Sequence, residues 1–195
     1  MKAVQTLPEG YQKIFGVNLQ KDKKTALVLN IAALLVGIAM AVPVHFLIPI
    51  GTMFSYEEFL LALPIKTLCL ALGLIAYIIL HELVHGITMK IFGAKKIRYG
   101  FTLLYAYAGS TEDYFRKKQY IIIALAPVII WGIVLGILSF LVPVSWFWIV
   151  YIIQIMNISG AAGDVYVTAK FSKLPSDILV NDTGFEMTVY SAKNE

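Results

Sequence analysis

His81-Glu82-Leu83-Val84-His85 places three titratable side chains within five residues. On a helix, His81 and His85 stand at i and i+4, so both imidazoles share one face, one turn apart. Neutral imidazole nitrogens are good zinc ligands, and a catalytic zinc site keeps one coordination position open. Glu82, next to the first histidine, would act as general base toward water that the metal activates. The chemistry implied is metal-assisted hydrolysis with zinc as cofactor. Such a site needs a third protein ligand. His45 is the only other histidine and lies near the far exit of the first apolar run, on the wrong side. Glu112 and Asp113 fall in a basic connection and read as solvated. Asp164, in Asn157-Ile-Ser-Gly-Ala-Ala-Gly-Asp164, is the best placed. Asn157 precedes it by about two helical turns and so shares its face. There it would hydrogen-bond a substrate carbonyl or oxyanion, or else make an interhelical polar contact.

The elements that carry these residues are apolar. Of 195 residues, 59% are hydrophobic and 14% charged, against about a quarter charged in soluble domains. Too few polar side chains remain to solvate a surface, so the solvent is lipid. The formal charge of +4 does not indicate a nucleic-acid partner, because the basic residues flank apolar runs as they do in membrane proteins. The single cysteine, Cys69, excludes an intramolecular disulfide and a Cys-rich zinc module, and in its apolar run it packs as a small hydrophobe.

Four runs predict transmembrane helices, over residues 25–42, 65–91, 120–141 and 144–169. Each crosses a hydrocarbon core of about 30 Å at about 1.5 Å per residue, or nearly so for the first. The first follows Lys21, Lys23 and Lys24, but it is longer than a signal-peptide core and lacks a small-residue cleavage site, so it reads as a retained span. Pro43 and Pro49 bracket its exit, Pro64 precedes the second span, and Pro127 kinks the third. The expected fold class is an all-α polytopic membrane protein. Residues 1–24 form a cytosolic segment, 25–169 the membrane domain with the metal site, and 170–195 a cytosolic tail. Two stretches depart from helix. Arg98–Gly109 is aromatic and too short to span, which suits a β-hairpin or re-entrant segment, or an interfacial loop anchored by tyrosines. Phe185–Tyr190 alternates like a short strand. Tyr56, Glu57 and Glu58 read as solvated loop residues.

Lysines and arginines set the orientation. Residues 1–24 hold Lys2, Lys13, Lys21, Lys23 and Lys24; the 90–118 connection holds Lys90, Lys95, Lys96, Arg98, Arg116, Lys117 and Lys118. The outer connections hold only Lys66. The positive-inside rule then puts both termini and the 90–118 connection in the cytosol. Counting from Lys90 and Lys170, His85 lies about 7.5 Å and Asp164 about 9 Å inside the cytosolic face by helix rise. The second and fourth spans run parallel, so matched depth permits shared coordination. Gly160, Ala161, Ala162 and Gly163 let helices approach closely, whereas the Gly132/Gly136 pair of the third span is a packing feature.

His81-Glu-Leu-Val-His-Gly86, Ala124-Leu-Ala-Pro127 and Asn157–Asp164 together resemble the putative zincin peptidase family, a group of small bacterial membrane proteins. The resemblance runs from about residue 10 to 190 and includes Val180-Asn-Asp-Thr-Gly184. The chain is more distantly similar to the site-2 class of intramembrane metalloproteases, which pair HExxH on one span with an aspartate on a later one. The resemblance implies His81, His85 and Asp164 as zinc ligands, Glu82 as base, and hydrolysis of a membrane-associated peptide or membrane-protein substrate near the cytosolic face. One departure is that Asp164 is followed by Val165 and lacks the Asp-Gly pair and preceding prolines of the site-2 class, which bears on substrate binding more than on metal. Two other functions fit the same residues: a metal-binding regulator without catalysis, and a small proton-coupled transporter.

Overall fold

A computed structural model describes residues 2–18, 20–54, 62–102 and 106–192. The loop glutamates Glu57 and Glu58 and Tyr56 lie outside these, as do residues 103–105. In chain order the elements are β1 (Gln12–Val17), α1 (Lys23–Leu47), a 3-10 turn at Ile50–Met53, α2 (Ala62–Ile91), β2 (Arg98–Phe101), β3 (Ala106–Arg116), α3 (Lys117–Leu141), α4 (Val144–Gly160), α5 (Ala162–Ser172), β4 (Leu179–Asp182) and β5 (Met187–Ser191).

Among the described residues, four helical stretches are long and apolar enough to cross a membrane: Lys23–Leu47, Leu63–Ile91, Lys117–Leu141 and Val144–Ser172. They cover the four runs expected from hydropathy. Their large apolar side chains are widely exposed, for example Leu34 at 64% and Phe140 at 91%. Water would penalise that surface, while hydrocarbon would not. Helix α1 has no buried residue at all. Its first turn is closed by Asp22, whose carboxylate accepts the Thr25 backbone N–H at 3.0 Å and so satisfies a donor with no helical partner. The fourth stretch is interrupted. The helix breaks at Ala161, where α4 ends and α5 begins, inside a run of small residues whose glycines have weak helix propensity.

An all-α fold is not what the chain forms. Five strands make one antiparallel sheet in the order β1-β5-β4-β3-β2. The hairpin reading of the 98–109 stretch holds, since Arg98–Phe101 pairs with Ala106–Gly109. The alternating Phe185–Tyr190 stretch supplies β5. The rest of the sheet is not legible locally because β1 pairs with β5, and β3 with β4, across distant stretches of chain. No local periodicity reports such pairing.

By its contacts the chain forms two compact units. One comprises Met1–Leu29, His81–Pro127 and Gly163–Glu195. Its core joins Met89 of α2, Phe115 of β3, Tyr120 and Ile123 of α3, Val167 and Phe171 of α5, and Val180 and Val189 of the sheet. Between Ser110 and Phe115 the β3–β4 register shifts, and the ladder there leaves carbonyls without strand partners. The buried Asn181 amide donates to the carbonyls of Ser110 (3.2 Å), Thr111 (3.3 Å) and Asp113 (3.0 Å). Asp113 is not a solvated residue. It is fully buried, and its carboxylate accepts from Gln5 Nε2 at 2.5 Å, the Lys95 backbone N–H at 3.0 Å and the Ser110 hydroxyl. A buried carboxylate needs such donors to offset its lost hydration.

The other unit comprises Asn30–Leu80 and Val128–Ala162. Tyr77, Leu135 and Ile153 form one cluster there, and Met53, Trp148 and Ile149 another. Asn157 ties three helices in this unit. Its Oδ1 accepts from the Tyr77 hydroxyl at 3.0 Å, and its Nδ2 donates to the Val128 carbonyl at 3.1 Å. Lys66 is buried as well; its Nζ donates to the Met53 carbonyl at 3.3 Å and lies 6.0 Å from the Trp146 ring centre.

Candidate metal centre

Helix α2 carries His81 and His85 one turn apart, with ring centres 4.9 Å apart and planes at 76°. Asp164 lies in the first turn of α5, where the helix dipole favours a carboxylate. One of its oxygens stands 3.4 Å from His81 Nε2 and the other 3.6 Å from His85 Nε2. These separations exceed a good N–H···O hydrogen bond of about 2.9 Å. They fit ligands around a common ion, because two tetrahedral zinc ligands bonded at about 2.0–2.1 Å stand roughly 3.3 Å apart. Two imidazole nitrogens and a carboxylate oxygen, all within 4.8 Å of one another, are a donor set that suits zinc and leaves a fourth position free. The residues present therefore fit the metal that the motif implies.

His85 is 9% exposed and its Nδ1 lies 2.9 Å from the Ile123 carbonyl oxygen. A carbonyl only accepts, so Nδ1 donates to it, and in the neutral ring the lone pair then lies on Nε2, the nitrogen that faces Asp164. Glu82 projects from the same helix, and its carboxylate accepts the backbone N–H of Ala108 in β3. Tyr99 of β2 packs against the turn after His85. A Cβ at Gly86 would overlap the Tyr99 hydroxyl, so the glycine of the HELVHG run is what lets the ring sit there. Burial first, and the Glu82 charge second, push the Tyr99 phenol above its ordinary value.

Behind these groups stands Asp182 of β4. Its carboxylate accepts from the Tyr120 hydroxyl at 2.6 Å and from the Gly184 N–H at 2.8 Å. Burial pushes Asp182 above the usual carboxylate range, although the two hydrogen bonds oppose this. The charges of His85 and Asp164 also reach it. Gly184 takes a φ of +84° in the turn that follows, a region a side chain would strain.

The structure brings His81, His85 and Asp164 together. His45 is elsewhere engaged: its Nδ1 accepts the Ile50 N–H at 3.1 Å. Asn157 is hydrogen-bonded within its own helical unit, and the break at Ala161 means that Asn157 and Asp164 share no continuous helix. The sequence reading missed the Ala108 N–H, the Ile123 carbonyl, Tyr99 and the Tyr120–Asp182 pair. The first two are backbone groups and leave no signature in residue type. Asp182 had one weak signal, its place in Val180-Asn-Asp-Thr-Gly184.

Residues 74–179, more than half of the chain, match the family model described as "Putative zincin peptidase". The chain belongs to the putative zincin peptidase family. The matched stretch contains both histidines, Glu82 and Asp164. An "Uncharacterized 24.7 kDa protein in gap 5'region" of Pyrococcus woesei is 40% identical over 120 residues, covering 59% of this zincin peptidase family chain and 51% of that protein. The chain therefore spans about half the length of this curated relative. No solved structure matches.

Proposed function

We propose that the protein is a membrane-embedded zinc metallopeptidase that cleaves a membrane-associated peptide near the cytosolic face. The observation that carries this reading is Glu82 beside a two-histidine, one-aspartate ligand set, with its carboxylate oriented by the Ala108 N–H. His81, His85 and Asp164 would hold the ion, which when bound would supply Lewis acidity toward water and a scissile carbonyl. Glu82 accepts the proton of the attacking water and returns it to the leaving amine. That His81, His85 and Asp164 lie on helical stretches long and apolar enough to cross a membrane supports a membrane-associated substrate. The lysine and arginine bias supports both termini in the cytosol.

Zinc content and peptide turnover of the purified protein test this. His81→Ala and Asp164→Ala each lose the metal. Glu82→Gln keeps it and lowers turnover by about 10²–10⁴-fold, the usual contribution of a general base. Full zinc retention in both ligand variants would sink the ligand set. Zinc binding with no cleavage by the wild type would favour the regulator over the peptidase.

A further inference from the structure

We propose that Pro127 is a positioning residue of the metal centre: by leaving the Ile123 carbonyl without a helical donor, it supplies the acceptor that holds His85 with its proton on Nδ1. The proposal rests on the zinc reading of the His81–His85–Asp164 set, but its central observable does not require metal.

The argument starts from helix geometry. In an α-helix the carbonyl of residue i accepts the N–H of residue i+4. For Ile123 that residue is Pro127, which has no N–H and whose ring crowds the same carbonyl. Helix α3 nonetheless continues on both sides of Pro127, from Lys117 to Leu141. Ile123 is 1% exposed and Pro127 is fully buried, so the carbonyl is shielded from bulk solvent. In an apolar environment an orphaned carbonyl is costly and recruits a donor from a neighbouring side chain. The donor is His85 Nδ1, at 2.9 Å.

Each partner answers the other's need. The carbonyl lacks a donor because of Pro127. The imidazole, to bind an ion through Nε2, must carry its proton on Nδ1 and be held by an acceptor there. A proline that merely bent the helix would not need its freed carbonyl to face a ligand histidine. Ile123 and Pro127 are one turn apart on α3, so the device is local and encoded by a single residue.

Nitrogen-15 histidine spectra of the full chain in detergent, with the His85 signal assigned by its loss in His85→Gln, read the tautomer directly. Metal-free wild type should show neutral His85 protonated on Nδ1. An Nε2–H form overturns the proposal, whether or not the protein binds zinc. Pro127→Ala restores the N–H to Ile123, and zinc affinity should fall 10–100-fold, as when other groups that hold a ligand histidine are lost, with mixed His85 tautomers. Replacing Pro127 with the α-hydroxy analogue of alanine gives the same side chain without the N–H, and affinity should stay within a few-fold of wild type. Unchanged affinity in Pro127→Ala, or equal loss in both replacements, overturns the proposal. Should Pro127→Ala fail to fold, the wild-type tautomer and the ester replacement still decide.

Discussion

At the residue scale the pairing of His81 with His85 was legible because residues at i and i+4 share one helix face. The approach of Asp164 was legible by depth, since a carboxylate at matching distance from the flanking lysines can reach His85. The groups that tune the site were not. Asp182 sits in a strand far along the chain, and its proximity to His85 and Asp164 is a product of packing. Its raised value has a consequence for stability. A carboxyl whose folded value lies above its unfolded value, about 3.9, binds protons preferentially in the folded state. The stability it contributes is fully present below the unfolded value and is lost as pH rises through the folded one. The unfolding midpoint of metal-free protein should therefore fall as pH rises above about 4. Asp182→Asn should flatten that slope, and a slope unchanged in the variant would remove Asp182 as its source.

At the element scale, hydropathy located all four apolar helices because hydrocarbon leaves one local solution for the backbone. It missed the break at Ala161 and most of the sheet. Strand pairing joins residues 12–17, 98–116 and 179–191, and nothing within each stretch announces its partners. Asn157 belongs to this scale as well. Bonded to Tyr77 and Val128, it joins α2, α3 and α4. Asn157→Leu should lower stability in detergent by about 0.6–1.7 kcal/mol, the range for interhelical hydrogen bonds in membrane proteins, while leaving zinc content unchanged. Lost turnover at unchanged stability would instead assign Asn157 to the substrate.

At the scale of the whole molecule, the distribution of basic residues predicts an orientation that labelling can check. In a Cys69→Ser background, cysteines at Lys21, Lys95 and Lys173 should react with an impermeant maleimide only after the cytosolic face is opened. A cysteine at Gly51 should react from outside, and the reverse pattern would invert the topology. Composition, span lengths, charge bias and the pairing of His81 with His85 on one helix face follow from sequence alone, because each is local chemistry: solvent preference, helical period and donor type. Tertiary structure alone decided what surrounds the ligands: Ala108 against Glu82, Tyr99 in the space left by Gly86, the Ile123 carbonyl on His85, and Asp182 behind them. These contacts bring together residues remote in sequence, and two of them use backbone groups that every residue possesses. Only folding selects which of those groups is left without a partner, and where it points.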